Sequence, residues 1–292
     1  MTDITVGVAG LGNIGGPIAS RLSEKFKLLG FDPAKDTKSA PEGVVLVSSL
    51  NEIALQADVV CLSLPTTEAV LSVITALSAV PVERRRVKVI LELSTVGVKT
   101  AERSQQLAWQ AGIRYVDSPI SGGVERARKG TLSVMCAGDA GAIAAADPVL
   151  QQLASSVFVM GDKAGLGQAM KLANNIISAS ALVVTSEALI FGGKLGLTPE
   201  KMIEVINVST GRTEVSEVKF TQTILPRNYR GAFARVMGKD VSLFLEAASE
   251  AQVEAPVARR TGDIWARFVA DEPVKDFQYI YEYLRDKAKG LR

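Results

Sequence analysis

The 292-residue chain contains no histidine. That absence excludes Ser-His-Asp and Cys-His catalysis and any histidine-ligated metal site. A general acid or base must then be Lys, Asp, Glu, Tyr or Cys. Cysteine is nearly absent as well. Cys61 and Cys136 each sit inside an apolar run, which reads as two buried free thiols and suits a reducing cytoplasm. Neither sign of charge dominates: 33 Lys and Arg face 31 Asp and Glu, for a formal net charge of +2. Nothing there points to nucleic acid or an anionic membrane surface as partner. Uninterrupted apolar runs are short, Val89-Ile90-Leu91 being typical, so no transmembrane helix is expected. The N-terminus runs almost at once into Ile4-Thr5-Val6-Gly7-Val8-Ala9-Gly10. No basic region followed by an apolar core and a small-residue cleavage site precedes it, so no secretory signal is expected. What remains is ordinary for a globular protein, 47% hydrophobic and 22% charged, and long enough for two domains.

Up to about residue 162, short β-branched runs alternate with helical stretches. The strand candidates are 4–9, 26–31, 44–47, 58–63, 87–92, 113–117, 131–137 and 157–159, with helical periodicity at 14–25, 67–79 and 97–111. Alternation of this kind predicts a doubly wound, mostly parallel sheet with helices on both faces. Near-continuous apolar strands fit a sheet covered on both sides. Beyond residue 162 the pattern becomes helical. A long stretch from Gly167 to Lys194 is followed by 198–208, 213–224, 239–252, 256–270 and 274–289. Thr198-Pro199-Glu200 is a helix start, with a cap residue, a first-turn proline and an acid near the positive end of the helix dipole. The expectation is an α/β class chain: a Rossmann domain over 1–162, then an all-helical domain over 163–292 that opens with the long helix.

Gly10-Leu11-Gly12-Asn13-Ile14-Gly15 is a G-x-G-x-x-G between a strand and a helical pattern. Gly10 permits the tight turn, Gly12 lets the backbone approach a pyrophosphate, and Gly15 lets helix and strand pack closely. The amides at the start of the helix then bind the phosphate charge. Asp32 ends the second strand, seventeen residues after Gly15. An acid there accepts from the ribose hydroxyls and repels a 2′-phosphate, favouring NAD while Lys35 nearby leaves NADP open. Ser63-Leu64-Pro65-Thr66 and Leu93-Ser94-Thr95 follow the fourth and fifth strands. The carboxyl ends of parallel strands are where such sheets bind ligands, which makes Leu64, Pro65 and Thr95 cofactor candidates.

Four segments in matching order resemble the β-hydroxyacid dehydrogenase family, the group of the 3-hydroxyisobutyrate dehydrogenases and tartronate semialdehyde reductases. The first is GLGNIGGPIASRL at 10–22. SPISGGVERARKGTL at 118–132 is similar to the family's substrate-binding segment, and GLGQAMKLANN at 165–175 to its catalytic segment. Gly238-Lys239-Asp240 resembles a lysine–aspartate motif that opens a later helix beside the nicotinamide. The resemblance implies hydride transfer between NAD(P) and a small 3-hydroxy acid, or the corresponding 3-oxo acid or semialdehyde. It makes Lys171 the general acid–base, with Asn175 hydrogen-bonding the substrate and helping to orient Lys171, and Asn174 on the substrate. Helical spacing adds that Lys171, Asn174 and Asn175 share one face. That face is otherwise lined by Ala, Leu and Ile, so the lysine is partly desolvated, as proton transfer near neutral pH requires. Ser121-Gly122-Gly123 can cradle a substrate carboxylate with a hydroxyl and two exposed amides. Thr95 falls where the family contacts the dinucleotide, and Lys239 near the nicotinamide or the substrate carboxylate. Asp240 is expected to cap the helix it opens or to serve the site.

The chain departs from many relatives at Arg126, where they carry glycine; Arg128 and Lys129 follow. This is either a solvated charge run or added positive charge for a more anionic substrate, such as a dicarboxylic semialdehyde, phosphonate or sulfonate. Arg212, with Thr213 as a cap, is a second candidate anion clamp. A non-catalytic dinucleotide-binding module and imine reduction are the competing functions; retention of Lys171, Asn175, Ser121 and Lys239 together argues against the first, and Lys171 against the second. The active site is expected between the domains. Trp265, Phe268, Phe277, Tyr279 and Tyr281 are either core or subunit interface. The resemblance implies a homodimer or homotetramer, and the buried thiols with no secretory signal lead to the expectation of a cytoplasmic protein.

Overall fold

A computed structural model describes residues 4–35, 39–229, 232–288 and 290. The chain divides into two compact units, Met1–Lys171 and Leu172–Arg292.

The first unit is built on a nine-stranded sheet. Its strands are β1 (Thr5–Ala9), β2 (Lys27–Phe31), β3 (Val45–Leu46), β4 (Val59–Leu62), β5 (Val89–Glu92), β6 (Arg114–Asp117), β7 (Ile120–Ser121), β8 (Leu132–Gly138) and β9 (Ala154–Gly161). The order is β3-β2-β1-β4-β5-β6-β8-β7, with β9 also paired to β8. Pairing is parallel from β3 through β6, antiparallel at β6–β8 and β7–β8, and parallel again at β8–β9. The chain reverses direction across the sheet between β1 and β4, which places a ligand crevice at their carboxyl ends. Successive strand residues face opposite sides. Val59, Cys61, Val89 and Leu91 enter one core with Ile18 and Leu22 of α1 (Gly15–Ser23) and Ala142 and Val149 of α6 (Ala140–Leu153). Val60, Leu62 and Ile90 enter the other, with Ile53 of α2 (Leu50–Gln56), Val70 and Ile74 of α3 (Thr67–Ser78) and Ala101 and Ala108 of α4 (Val98–Gln110). Two-sided burial is why these strands read as unbroken apolar runs. A short helix, α5 (Gly123–Lys129), separates β7 from β8.

Helix α7 (Leu166–Lys194) spans 29 residues and carries the boundary between the units within it. The second unit continues with α8 (Pro199–Asn207), a π-helical turn (Val215–Ile224), α9 (Ala234–Glu250), α10 (Pro256–Asp271), a 3-10 turn (Phe277–Tyr279) and α11 (Ile280–Ala288). The last residue of the expected 274–289 helix lies outside the described residues. Thr198 caps α8 by accepting from the Lys201 amide at 3.4 Å, with Pro199 in the first turn, as its sequence signalled. Trp265 and Phe268 are fully buried, and Tyr281, Phe277 and Tyr279 pack into the same cluster with Leu182 and Leu189. These aromatics are therefore core. Over its most apolar 18 residues α7 has a mean hydropathy of 1.7, enough by length and composition to cross a membrane. Ser178, Ser180, Thr185, Ser186 and Glu187 break that stretch into the short apolar runs seen in the sequence. Its buried residues Ile176, Ala179, Leu182, Val183 and Leu189 belong to the second unit's core.

Candidate active site

In the first unit the glycine-rich turn follows β1 directly. Gly10 has φ +90°, and a Cβ there would stand 2.2 Å from the Ser63 carbonyl oxygen at the end of β4. A Cβ on Gly15 would stand 2.0 Å from the Gly10 carbonyl oxygen. A Cβ on Gly12 would meet no protein atom within 4 Å, and Gly12 and Asn13 are exposed. Two of the three glycines are thus required by the fold's own packing. The third faces open space, where a backbone-hugging group could approach. Ile14, at the start of α1, supplies no side-chain cap, and the first turn holds no acid. Its amides remain available to an anion.

Asp32 stands beside this turn. Its Oδ2 accepts from the Leu11 amide at 2.8 Å and its Oδ1 from the Ala34 amide at 2.9 Å. Each carboxylate oxygen keeps a further lone pair for a ribose hydroxyl. Leu64 and Pro65 follow β4, and Thr95 follows β5, as expected. A link not visible in the sequence joins their loops: the Leu64 amide donates to Ser94 Oγ at 2.8 Å. Ser121 ends β7 and pairs in register with Ser133 rather than lying in an open loop. Gly122 (φ +136°) and Gly123 (φ +73°) follow it. Arg126 is exposed, and its stem lies over Gly122, where a Cβ would come within 2.9 Å of the Arg126 Cβ.

A second feature missed by sequence reading surrounds the start of α7. Asp117, the last residue of β6, is buried, and its Oδ2 accepts from the Gly165 amide at 2.8 Å and the Gln168 amide at 3.1 Å. Burial pushes its carboxyl above the usual range, opposed by hydrogen bonds from Gln168, Gly165 and Gly167. Gln168 is itself fully buried and bonds Asp117 and the 94–97 loop. Gly167 has no room for a side chain: a Cβ would stand 2.4 Å from the Met135 carbonyl oxygen. The double glycine of Gly165-Leu166-Gly167 was the available signal. Lys171, at the end of this unit, is 8% exposed.

In the second unit, Asn175 is 7% exposed and donates from Nδ2 to Asp240 Oδ2 at 2.7 Å. Its Oδ1 accepts from Asn174 Nδ2 at 3.1 Å. Lys171, Asn174 and Asn175 share a face of α7. Lys239 Nζ lies 3.2 Å from Asp240 Oδ1. The expectation that Gly238-Lys239-Asp240 opens a helix is corrected. Helix α9 begins four residues before Gly238, at Ala234, whose amide donates to the Lys275 carbonyl at 2.8 Å. Asp240 therefore lies inside the helix and cannot cap it; it is buried and holds Asn175 instead. Gly238 serves helix packing, since a Cβ there would stand 2.6 Å from Val269 of α10. Arg212 is exposed and its Nη1 lies 3.4 Å from Glu217 Oε1; Thr213 Oγ1 accepts from the Ser216 amide at 3.1 Å, a cap as expected. Among the described residues no group of three or more Cys, Asp or Glu side chains is placed to hold a metal ion.

Two family models match the chain. That of the NAD-binding domain of 6-phosphogluconate dehydrogenase covers residues 5–161. That of the NAD-binding region of NADP-dependent 3-hydroxyisobutyrate dehydrogenase covers 165–284. A probable 3-hydroxyisobutyrate dehydrogenase of Mycobacterium tuberculosis is 33% identical, over 97% of this chain and 99% of its own. The chain belongs to the β-hydroxyacid dehydrogenase family. Like others of the 3-hydroxyisobutyrate dehydrogenase type, it is an NAD(P)-dependent oxidoreductase of hydroxy acids. The 2-(hydroxymethyl)glutarate dehydrogenase of Eubacterium barkeri is 31% identical over 90% of this chain and 88% of its own. The solved Mycobacterium tuberculosis 3-hydroxyisobutyrate dehydrogenase with L-serine superposes with a TM-score of 0.86 at 31% identity, covering 97% of this chain and all of that one.

Proposed function

We propose that this β-hydroxyacid dehydrogenase oxidises a small 3-hydroxy acid, or reduces the matching 3-oxo acid or semialdehyde, with Lys171 as its acid–base group. The observation that carries the reading is a lysine only 8% exposed, one turn from a buried asparagine, in a chain without histidine. When bound, the dinucleotide supplies the hydride acceptor or donor. In oxidation Lys171, as the neutral amine, takes the substrate's hydroxyl proton; in reduction its ammonium form returns a proton to the forming alkoxide. Asp240 fixes which way the Asn175 amide points, because a carboxylate can only accept. Asn175 is left able to offer its second N–H to substrate, beside Asn174. Ser121, Gly122 and Gly123 hold the substrate carboxylate through a hydroxyl and backbone amides. Gly10 to Gly15, Leu64, Pro65, Thr95 and Lys239 hold the dinucleotide, and Asp32 biases the choice toward NAD.

Lys171→Ala is expected to lower kcat by about 10²–10⁴-fold, with NADH binding, followed by its fluorescence, changed less than about threefold because the dinucleotide cradle is untouched. Full turnover in that variant would sink the assignment. A second reading has a specific support: the Arg126 stem lies over Gly122 of the carboxylate loop, so its guanidinium adds positive charge there. A second carboxylate, like that in the name of the Eubacterium barkeri relative, would then be accommodated. Arg126→Ala should lower kcat/KM for dicarboxylic substrates more than for monocarboxylic ones; equal losses remove the reading. Assembly as a homodimer or homotetramer belongs to the same proposal and is read by light scattering of the purified chain.

A further inference from the structure

Gln168 precedes Lys171 by three residues, so the two lie on the same side of α7. It is fully buried and its side chain makes four hydrogen bonds. Oε1 accepts from the amides of Val96 at 2.9 Å and Gly97 at 3.2 Å. Nε2 donates to the Ser94 carbonyl at 3.1 Å and to Asp117 Oδ1 at 2.8 Å. Asp117 completes the set by accepting the Gly165 and Gln168 amides through Oδ2. The pattern has one solution. The backbone donors at Val96 and Gly97 require the Gln168 oxygen on that side, which turns its NH₂ toward Asp117. Every atom Asp117 then meets is a donor, so an amide in its place would set N–H against N–H.

Such a buried polar cluster is a poor stabiliser, since apolar groups of equal shape hold a fold about as well. Its distinctive product is orientation. We propose that Asp117 and Gln168 are positioning residues for hydride transfer: they lock the 94–97 loop, which carries Thr95, to the first turn of α7 and so set where the Lys171 amine stands relative to that loop. The inference rests on the assignment of Lys171 above. Neither residue touches the reacting atoms; both act through Lys171 and Thr95.

The test is a cycle on the full-length enzyme with NAD(H) and its best 3-hydroxy acid. Gln168→Met keeps the volume and removes all four bonds. It should lower kcat by about 100-fold, the cost of misplacing a reacting group by roughly 1 Å, with KM changed less than about threefold. In a Lys171→Ala background the same substitution should change the residual rate by less than about threefold, because the group it positions is gone. An unchanged kcat, or an equal loss in both backgrounds, overturns the proposal while leaving Lys171 in its role. Full turnover in Lys171→Ala alone overturns the Lys171 assignment and the proposal with it. If Gln168→Met does not fold, Asp117→Asn, which keeps the shape and sets N–H against N–H, is judged by the same two comparisons.

Discussion

Asp32 holds the Leu11 amide with one oxygen and the Ala34 amide with the other, so the residue proposed to select the ribose also pins the glycine turn. Asp32→Ala should therefore do two things. The ratio of kcat/KM with NADP to that with NAD should rise by about tenfold as the repulsion of a 2′-phosphate disappears. Stability should fall by about 1–3 kcal/mol, because the Leu11 amide loses its acceptor in a largely buried place; urea unfolding of the free enzyme reads this. A raised ratio with no loss of stability would mean that the turn is held otherwise. At this scale the sequence was most informative where chemistry is local. Lys171, Asn174 and Asn175 are neighbours on one helix face, and their spacing alone says so. Gln168 was invisible because its partners, Ser94, Val96 and Asp117, come from distant strand ends. Of the two readings of Asp240, the cap fails because α9 starts earlier, at Ala234, whose amide donates to the Lys275 carbonyl, a tertiary contact with no local signature.

The three glycines of the first turn make the element scale testable, since they differ in what a methyl group would strike. Gly12→Ala meets nothing of the protein. The melting temperature without cofactor should stay within about 1 °C, surface changes being worth at most about 0.5 kcal/mol, while NAD affinity drops by at least about tenfold as the methyl fills the pyrophosphate cradle. Gly15→Ala drives a Cβ to 2.0 Å from the Gly10 carbonyl oxygen, which is backbone and cannot yield. It should lower the melting temperature with or without NAD, as overpacking does. Calorimetry with and without NAD separates the two; an equal loss in both variants would refute the division of labour. The strands were legible because burial on both sheet faces leaves a run of apolar residues. The two-residue strand β7 is set by pairing rather than composition, which is why Ser121 reads as loop and folds as strand, whereas β3 falls inside the expected 44–47.

Composition left its clearest mark on the whole molecule. Lacking histidine, the chain has no side chain whose ordinary titration falls between about pH 5 and 8. Its buried thiols titrate far higher: burial pushes Cys61 up to about 12, and burial, with smaller effects of Asp117 and Asp147, does the same for Cys136. Both are free and fully buried, so neither should react with a thiol reagent at pH 8 until the chain is unfolded. The sign for stability follows. A thiol whose folded value lies above its unfolded one holds its proton longer when folded. Its contribution is complete below about pH 9 and is lost as the pH rises toward 12. The urea midpoint should fall above pH 9, and less steeply in Cys61→Ala; an identical slope would acquit the thiol.

The first turn of α7 borrows its acceptor from β6, and Asp117 precedes Gly165 by 48 residues. A helix ordinarily capped by its own neighbour can start whenever its residues meet. This one has a defined beginning only after the sheet has brought the end of β6 into place, since closing so long a loop must precede the reward. The segment that carries Lys171 should thus be among the last to gain its native bonds. Asp117→Asn is expected to speed unfolding far more than it slows folding, giving a φ-value near zero, whereas Val60→Ala in β4 should slow folding. Stopped-flow chevrons would measure both, and a φ-value near one at Asp117 would place the capping of that turn at the start of folding instead.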